Sequence, residues 1–260
     1  MKSKILCVTD LDGTFIKDSV QVSQNDLLAY HYLLNFSDFS IATGRSVKEI
    51  HYVTDQNAIN CQHFIAFNGA LIINSDQETI FSDAIPQMQV AELLDYLKKE
   101  QLVFDALDGE RRIGNFSHEH PERLWNMEII CPDNLYDILI KRELFKFNVR
   151  PPKDTAGSCL SYLQKKFPNL EIYHSGATRI EITAKGVSKG AALQKIASSY
   201  DLVIAFGDSG NDISLFDNAD ISYCMSEAAA DVQQHATFTV NHFSDAIAHL
   251  SQNIGNYLNH

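Results

Sequence analysis

Two aspartates stand two residues apart at the end of the first apolar segment of this 260-residue chain. They are Asp10 and Asp12, which directly follow the run at residues 5–9, with Gly13 next. Side chains alternate along a strand, so both carboxylates start on the side that faces the ligand crevice of an open parallel sheet. Close carboxylates repel each other, so the pKa of one should rise unless a cation lies between them. The pair therefore predicts either a divalent-cation site or a carboxylic acid that transfers a proton, and Gly13 permits a sharp turn beside a ligand.

A second acidic segment, GDSGND at residues 207–212, also comes directly after an apolar run. It adds two carboxylates, Asp208 and Asp212, at the same edge of the predicted sheet. Mg²⁺ prefers such oxygen ligands and often combines one or two carboxylates with a substrate phosphate. The same residues also suit a turn in which Asn211 or Asp212 caps the next helix, so both interpretations stay open at this point.

Two further segments place polar groups where a strand ends or a helix begins. Thr43 and Gly44 close the apolar run at residues 39–42 and open a helix, so a hydroxyl and backbone N–H groups can meet a phosphate there. Lys189 starts another helix, where its ammonium can place a positive charge on the same phosphate. Each residue alone would be interpreted as structural, but the four segments in this order indicate a site that handles phosphate.

Alternating strands and helices must position these residues. Strand patterns lie at residues 5–9, 39–43, 64–67, 179–183, 202–206 and 221–223, and helix patterns begin near residues 23, 47, 190 and 212. Strand followed by helix, repeated, predicts a doubly wound, Rossmann-like α/β core with a parallel sheet. The dipeptide Asn68-Gly69 predicts a tight turn after the third strand. In the middle of the chain the regular alternation of strand and helix patterns is interrupted, and this segment is long enough to form a domain of its own. We therefore predict a core of residues 1–82 and 185–260 with an inserted α/β domain at residues 83–184.

Composition and charge narrow the classes of function. Hydrophobic residues make up 45% and charged residues 21%, which is typical of a soluble globular protein. The 33 acidic residues outnumber the 21 basic ones and give a net charge of −12, so nucleic acids and anionic lipid surfaces repel the chain. We therefore expect no nucleic-acid partner and no membrane partner. Five scattered cysteines and an N-terminal apolar run too short for a signal peptide predict a cytoplasmic protein.

Taken together, the motifs resemble those of the haloacid-dehalogenase superfamily. The matching positions are DLDGT at residues 10–14, Thr43, Lys189 and GDSGND at residues 207–212. More narrowly, ATGR at 42–45, FNGA at 67–70 and VSKG at 187–190 resemble its Cof-type branch, subfamily IIB. The resemblance covers the core on both sides of the insertion and is weak within the inserted domain. It implies a large α/β cap of type C2B that sets substrate specificity.

The resemblance also implies an activity and a role for each motif residue. The chain would be a Mg²⁺-dependent phosphatase in which Asp10 is the nucleophile that forms an aspartyl-phosphate, and Asp12 is the general acid and then the general base. The implied metal ligands are Asp10, Asp12 through its backbone carbonyl, and Asp208, with Asp212 in support. The groups expected to hold phosphoryl oxygens are Thr43, Gly44, Lys189 and Asn211. The candidate substrate residues are Arg45, Asn68 and Arg179, with Arg111, Arg112 and His174 as further candidates in the cap. The alternative role of Arg45 is to brace the loop.

We expect the substrate to be a small phosphorylated metabolite, with a sugar phosphate favoured over flavin or pyridoxal phosphates. The alternative is a non-enzymatic regulatory protein on the same fold, either phospho-accepting or metabolite-binding. Asp12 distinguishes the phosphatase from the phospho-accepting alternative, because phospho-accepting receiver proteins do not need a second carboxylate for acid–base catalysis. Ser209 within GDSG matches the nucleophile segment of chymotrypsin-like proteases, but that class needs an all-β secreted chain. The segment HEH at residues 118–120 predicts a surface loop, and Trp125 is expected in the core of the cap. No oligomeric state is predicted.

Overall fold

The computed structural model describes residues 4–117, 127–175 and 178–258, so the predictions for residues 118–120 and Trp125 lie outside the described residues. The chain divides into two compact units. The first comprises Met1–Arg45, Ile50–Phe81 and Ser188–His260, and the second comprises Ser46–Glu49 and Ser82–Val187. None of the helices in the described ranges is long and apolar enough to cross a bilayer.

Strands and helices alternate along most of the described chain. The strands are β1 (Ile5–Thr9), β2 (Asp38–Ala42), β3 (His63–Ala66), β4 (Leu71–Asn74), β5 (Thr79–Ser82), β6 (Val103–Leu107), β7 (Arg111–Gly114), β8 (Glu128–Ile130), β9 (Lys146–Arg150), β10 (Leu170–Ser175), β11 (Arg179–Ala184), β12 (Leu202–Gly207), β13 (Ile221–Met225) and β14 (Phe238–Val240). The helices are α1 (Gln24–Leu33), α2 (Val47–Asn57), α3 (Gln87–Lys99), α4 (Leu135–Leu139), α5 (Ala156–Lys166), α6 (Lys189–Ala197), α7 (Ile213–Phe216), α8 (Ala230–Gln233) and α9 (Phe243–Tyr257).

The sheet of the first unit has β1 at its centre. Its strand order in the described residues is β14-β13-β12-β1-β2-β3-β4-β5, and all strands from β14 to β3 run parallel, whereas β4 is antiparallel to β3. In the register of β1, Cys7 lies opposite Ile204 on one side and Phe39 on the other. The continuous apolar run of β1 explains this position, because a strand with neighbours on both edges and both faces meets no water.

The sheet is covered on both faces by side chains of different kinds. One face packs an aliphatic cluster against α6, α7 and α8, and this cluster includes Leu6 and Leu193. The other face packs aromatic rings from α9 and the loop before α1, where the ring of Phe15 lies 5.4 Å from that of Phe39 and 4.8 Å from that of Phe243. Burying each such side chain contributes about 1.5–3 kcal/mol. The two layers hold the carboxyl edge of the sheet in place.

Serines cap two helices of the first unit. The Ser23 hydroxyl accepts a hydrogen bond from the backbone N–H of Asp26 at 3.2 Å, at the start of α1. The Ser188 hydroxyl accepts one from the N–H of Ala191 at 3.1 Å. Such caps satisfy N–H groups that have no partner within the helix. The second cap fixes the position at which α6 begins, and Lys189 is the first residue of that helix.

The turn at Asn68-Gly69 is longer than the predicted two-residue turn. β3 ends at Ala66 rather than at Phe67, and Ala66 pairs with Leu71 in the antiparallel ladder of β3 and β4. Residues 67–70 therefore form the connection, as a short 3₁₀ turn in which Phe67 and Asn68 have φ of 51° and 59°. Asn is one of the few residues that adopt this left-handed conformation readily. The predicted hairpin is present, but its loop has four residues.

The second unit contains a six-stranded sheet in the order β10-β11-β9-β6-β7-β8 within the described residues. Its neighbouring strands are antiparallel except for the parallel pair of β7 and β8. The apolar residues of α3, including Leu93 and Leu97, are buried, as their helical spacing predicts. The prediction of an α/β core with an inserted α/β domain is therefore confirmed.

Candidate active site

Asp10 lies at the carboxyl end of β1, the central strand of the first unit. Its N–H still donates to the carbonyl of Phe206 at 2.9 Å, which continues the pairing with β12 beyond the last strand residue. The side chain of Asp10 is buried, and its Oδ1 accepts a hydrogen bond from Lys189 Nζ at 2.6 Å. The carboxylate is therefore held by an ion pair between two distant segments of the chain.

Lys189 is fully buried and contacts two carboxylates. Its Nζ donates to Oδ1 of Asp10 and to Oδ1 of Asp212, in both cases at 2.6 Å. Burial alone would lower the pKa of this ammonium, but the negative charges of Asp10 and Asp212 outweigh burial and raise the pKa of Lys189 above its ordinary value. The ammonium is therefore a fixed positive charge at the edge of the sheet.

The loop after β12 places Asp208 and Asp212 at the same edge. Gly210–Asp212 forms a 3₁₀ turn, so α7 begins one residue later than the predicted helix. Oδ2 of Asp212 accepts the N–H groups of Asp208 and Ser209, both at 3.0 Å. Asp212 therefore caps this turn through one oxygen and accepts a hydrogen bond from Lys189 through the other, and its role in metal binding stays a prediction.

Three carboxylates converge here, and we call Asp10, Asp208 and Asp212 the carboxylate cluster. Each offers an oxygen, and these oxygens lie within 4.8 Å of one another. Burial raises the pKa of Asp10 well above its ordinary value, Lys189 lowers it in part, and the neighbouring carboxylates raise it further. Burial also raises the pKa of Asp208, although the Thr14 hydroxyl, which donates to its Oδ1 at 2.7 Å, acts in the opposite direction. Three carboxylates beside one ammonium fit a divalent cation that takes oxygen ligands.

Gly13 explains how the chain passes so close to Asp208. Its φ is +90°, and a Cβ at this position would lie 2.4 Å from Oδ2 of Asp208. Glycine alone combines this backbone conformation with the absence of a side chain. The turn predicted at Gly13 is thus present, and it allows the segments that carry Asp10 and Asp208 to approach each other.

Asp12 does not belong to the carboxylate cluster, although its charge also raises the pKa of Asp10. β1 ends at Thr9, and the backbone then turns, because the N–H groups of residues 15 and 16 both donate to the carbonyl of Leu11. Strand alternation therefore does not extend to Asp12, whose side chain is 53% exposed. Its carboxylate accepts two hydrogen bonds from Arg45, from Nε at 2.8 Å and from Nη2 at 2.5 Å. The described contacts of Arg45 are thus with the predicted acid–base residue, and its contact with substrate stays a prediction.

Thr43 and two asparagines are brought together beside β2. The backbone carbonyl of Thr43 accepts the N–H of Asn68 at 2.9 Å, and its hydroxyl accepts the N–H of Arg45 at 3.3 Å across Gly44. Oδ1 of Asn68 accepts a hydrogen bond from Nδ2 of Asn211 at 3.0 Å. The structure thus brings together three segments that are distant in the sequence. That these residues bind phosphoryl oxygens or substrate stays a prediction.

Arg179 belongs to the second unit, at the start of β11. Its Nη2 donates to the Ser175 hydroxyl at 2.9 Å and lies 3.2 Å from a carboxylate oxygen of Glu181. The side chain is 44% exposed. The predicted role of Arg179 in substrate binding is not tested by these contacts and stays a prediction.

Sequence reasoning missed a group of buried polar residues in the second unit. Asp105 and Asn148 are almost fully buried, and Nδ2 of Asn148 donates to Asp105 at 2.8 Å. Arg150 also forms an ion pair with Asp105. Among the described residues, Oδ1 of Asn148 and Oγ1 of Thr183 are buried without a hydrogen-bond partner. The alternation of polar and apolar residues in KFNVR at 146–150 was the available signal, since it predicts one polar face of a strand.

The sequence model of the haloacid dehalogenase-like hydrolases matches residues 7–250. The chain belongs to this family. A 5-amino-6-(5-phospho-D-ribitylamino)uracil phosphatase of Bacillus subtilis is 24% identical over 249 residues, which cover 94% of this chain and 92% of that protein. The predicted family and the predicted phosphatase activity are confirmed, and both favour an enzyme over the regulatory alternative.

Solved structures of haloacid dehalogenase-like hydrolases share the fold. A subclass IIB sugar phosphatase has a TM-score of 0.79 at 20% identity, with 95% of this chain and 98% of that chain covered. A haloacid dehalogenase-like hydrolase from B. subtilis has a TM-score of 0.83 at 19% identity, with 97% and 99% covered. Hydrolases of this family generally use Mg²⁺, and the carboxylate cluster supplies oxygen ligands of the kind that Mg²⁺ takes.

Proposed function

We propose that this haloacid dehalogenase-like hydrolase is a Mg²⁺-dependent phosphatase that acts on a small phosphorylated metabolite of the sugar-phosphate class. The observation that carries the proposal is the convergence of the carboxylate cluster on Lys189 at the carboxyl edge of the sheet. Ligands of open α/β sheets bind at this edge. Phosphoryl transfer depends chiefly on positioning and on neutralising charge, and these residues are suited to both.

In the first step, an oxygen of Asp10 attacks phosphorus, and the bond from phosphorus to the leaving oxygen breaks. Lys189 orients the attacking carboxylate, because it holds Oδ1. Asp12 gives its proton to the leaving oxygen, so the dephosphorylated metabolite departs as an alcohol and Asp10 carries the phosphoryl group. Mg²⁺ held by Asp10, Asp208 and the backbone carbonyl of Asp12, with Asp212 in support, would supply positive charge beside the phosphoryl oxygens.

In the second step, water attacks the phosphorus of the aspartyl-phosphate. Asp12, now a carboxylate, takes a proton from this water and so regains the proton it gave in the first step. The bond between Asp10 and phosphorus breaks, and inorganic phosphate leaves. The hydroxyl of Thr43, the backbone of Gly44, the ammonium of Lys189 and the amide of Asn211 hold the phosphoryl oxygens throughout.

The substrate class rests on two kinds of support. The relative from B. subtilis is named for a phosphorylated ribityl compound, and the subclass IIB structural neighbour is named a sugar phosphatase. We propose that residues 83–184 act as the cap that selects the substrate, and that Arg179 contributes to the selection.

A screen of phosphorylated metabolites tests the proposal directly. Phosphate release would be measured from hexose and pentose phosphates, a phosphoribityl compound, flavin mononucleotide and pyridoxal phosphate, with Mg²⁺ and with EDTA. We expect a sugar phosphate to be the best substrate, and Asp12→Asn to lose about 10²–10⁴-fold in turnover because the acid–base group is gone. The matched control Asp231→Asn, an exposed aspartate, should keep wild-type turnover. Turnover that survives EDTA, or a preference for flavin mononucleotide, would contradict the proposal.

Binding of Mg²⁺ should stabilise the folded chain through the carboxylate cluster. At a free concentration one hundred times its dissociation constant, a ligand of the native state adds about 2.7 kcal/mol to the free energy of unfolding. We expect that increment in the wild type and its near-complete loss in Asp208→Asn, measured as the Mg²⁺-induced rise in melting temperature. Asp76→Asn, which changes an exposed aspartate, serves as the control. An Asp208→Asn protein that responds to Mg²⁺ like the wild type would remove Asp208 from the metal site.

A further inference from the structure

Arg45 presents two N–H donors to the carboxylate of Asp12. Nε donates to Oδ2 at 2.8 Å and Nη2 to Oδ1 at 2.5 Å, so each carboxylate oxygen has its own donor. This is the bidentate geometry of a guanidinium and a carboxylate, which fixes the plane of the carboxylate as well as its position. A lysine could not reproduce it, because an ammonium acts as a point charge.

Arg45 is itself held firmly by the first unit. Its side chain is only 8% exposed, and Nη2 also donates to the backbone carbonyl of Ser19 at 2.8 Å. Its N–H donates to the Thr43 hydroxyl at 3.3 Å, and its carbonyl accepts the N–H of Phe67 at 2.9 Å. The guanidinium is therefore tied to the loop after β1, and the backbone of Arg45 is held by Thr43 and Phe67.

In the part of the chain that the structure describes, the hydrogen bonds to the Asp12 carboxylate come from Arg45. Its side chain is 53% exposed, and it lies in a turn next to Gly13, which has a φ of +90° and no side chain. A half-exposed carboxylate in such a turn would populate several side-chain rotamers in water. The two hydrogen bonds from a buried guanidinium select one of them.

We infer that Arg45 is a positioning residue that orients Asp12 for both proton transfers, and this inference rests on the acid–base role proposed for Asp12. Catalytic groups act efficiently only when they are held within a fraction of an ångström of the productive geometry. Arg45 does so through its two hydrogen bonds to the Asp12 carboxylate. Its function is thus distinct from the substrate contact that the sequence predicts.

The dependence of the first step on the leaving group distinguishes this role from a structural one. A well-placed general acid matters most when the leaving oxygen is strongly basic, and little when it is weakly basic. We would measure the rapid, first-turnover release of phenols from 4-nitrophenyl, phenyl and 4-methoxyphenyl phosphates in the presence of Mg²⁺. The proteins compared are the wild type, Arg45→Ala, Arg45→Lys and Asp12→Asn. Lys17→Ala, which removes an exposed cation from the same loop, is the matched control.

We expect Arg45→Ala to slow release from phenyl and 4-methoxyphenyl phosphates roughly 10- to 100-fold, because a misplaced acid loses most of its effect. Release from 4-nitrophenyl phosphate should change by less than about threefold, which also shows that the variant is folded. The release rates of Arg45→Lys should lie between those of the wild type and Arg45→Ala, since lysine keeps the charge but not the bidentate geometry. Lys17→Ala should match the wild type for all three compounds.

Two other outcomes would overturn the inference, and a third would overturn the proposed function instead. Equal slowing of all three compounds in Arg45→Ala would mean that Arg45 is only structural, and unchanged rates would mean that it is dispensable. In either case Asp12→Asn would still show the steep dependence on the leaving group. If Asp12→Asn itself behaves like the wild type, the acid–base role of Asp12 is wrong, whatever Arg45 does.

Discussion

Replacing Asp10 by asparagine should abolish turnover, with a loss of at least about 10⁴-fold. An amide oxygen is a far weaker nucleophile than a carboxylate. The substitution is nearly isosteric, and Lys189 keeps its bond to Asp212, so the fold should survive. The measurement is phosphate release with Mg²⁺, together with a search for the acyl-phosphate after acid quenching. The wild type should give this adduct and Asp10→Asn should not.

The control for this prediction is Asp231→Asn, which makes the same chemical change at an exposed position. It should retain wild-type turnover and form the adduct. Turnover of Asp10→Asn within tenfold of the wild type, or an adduct formed on it, would place the nucleophile elsewhere. A loss of turnover accompanied by unfolding would be detected by circular dichroism and would contradict the expectation that the substitution preserves the fold.

Replacing Lys189 by methionine should destabilise the first unit more than any single exposed substitution. The change leaves the buried carboxylates of Asp10 and Asp212 without the ammonium that both contact at 2.6 Å. Removing one partner of a buried ion pair costs about 3–5 kcal/mol, because an uncompensated charge stays in the interior. We expect a decrease of this size in the free energy of unfolding, measured by urea denaturation in EDTA, and a loss of phosphatase activity.

Lys185→Met provides the matched comparison, because Lys185 pairs with Glu171 at 3.0 Å in an exposed position. An exposed ion pair contributes less than about 1 kcal/mol, so this variant should unfold almost like the wild type. The double variant Lys189→Met/Asp212→Asn should recover part of the stability, since it removes one of the two uncompensated charges. Equal denaturation midpoints for Lys189→Met and Lys185→Met would show that the buried ammonium does not hold the two segments together.

The positions of the main site residues could be predicted because each stands where a strand or helix pattern changes. Asp10 and Asp208 follow apolar runs that form adjacent parallel strands, and parallel strands bring their carboxyl ends to one edge. Asp12 was harder to place, because strand alternation stops at Thr9 and the local turn decides where its carboxylate lies. The partner of that carboxylate, Arg45, depends on how the loops after β1 and β2 meet, which no local pattern encodes.

Other features depend on side-chain packing across the fold. The hydrogen bond from Asn211 to Asn68 joins loops that are separated by 143 residues, and only the order of the strands makes them neighbours. In the second unit, the alternation of polar residues predicts a solvated face. Asp105 and Asn148 are nevertheless buried there, because they bind each other and nearby arginines. Burial of charge is a property of the assembled sheet rather than of any one strand.

The central position of β1 has a consequence for synthesis of the protein. β1 acquires β2 as a neighbour early, but β12, which pairs along its other edge, begins only at Leu202. At roughly 5–20 residues per second, the interval on the ribosome is ~10–40 s. During this time the free edge of β1 offers unpaired N–H and C=O groups to any other extended chain. A nascent chain that stalls before Leu202 is therefore an aggregation-prone intermediate, although the finished protein buries that edge completely.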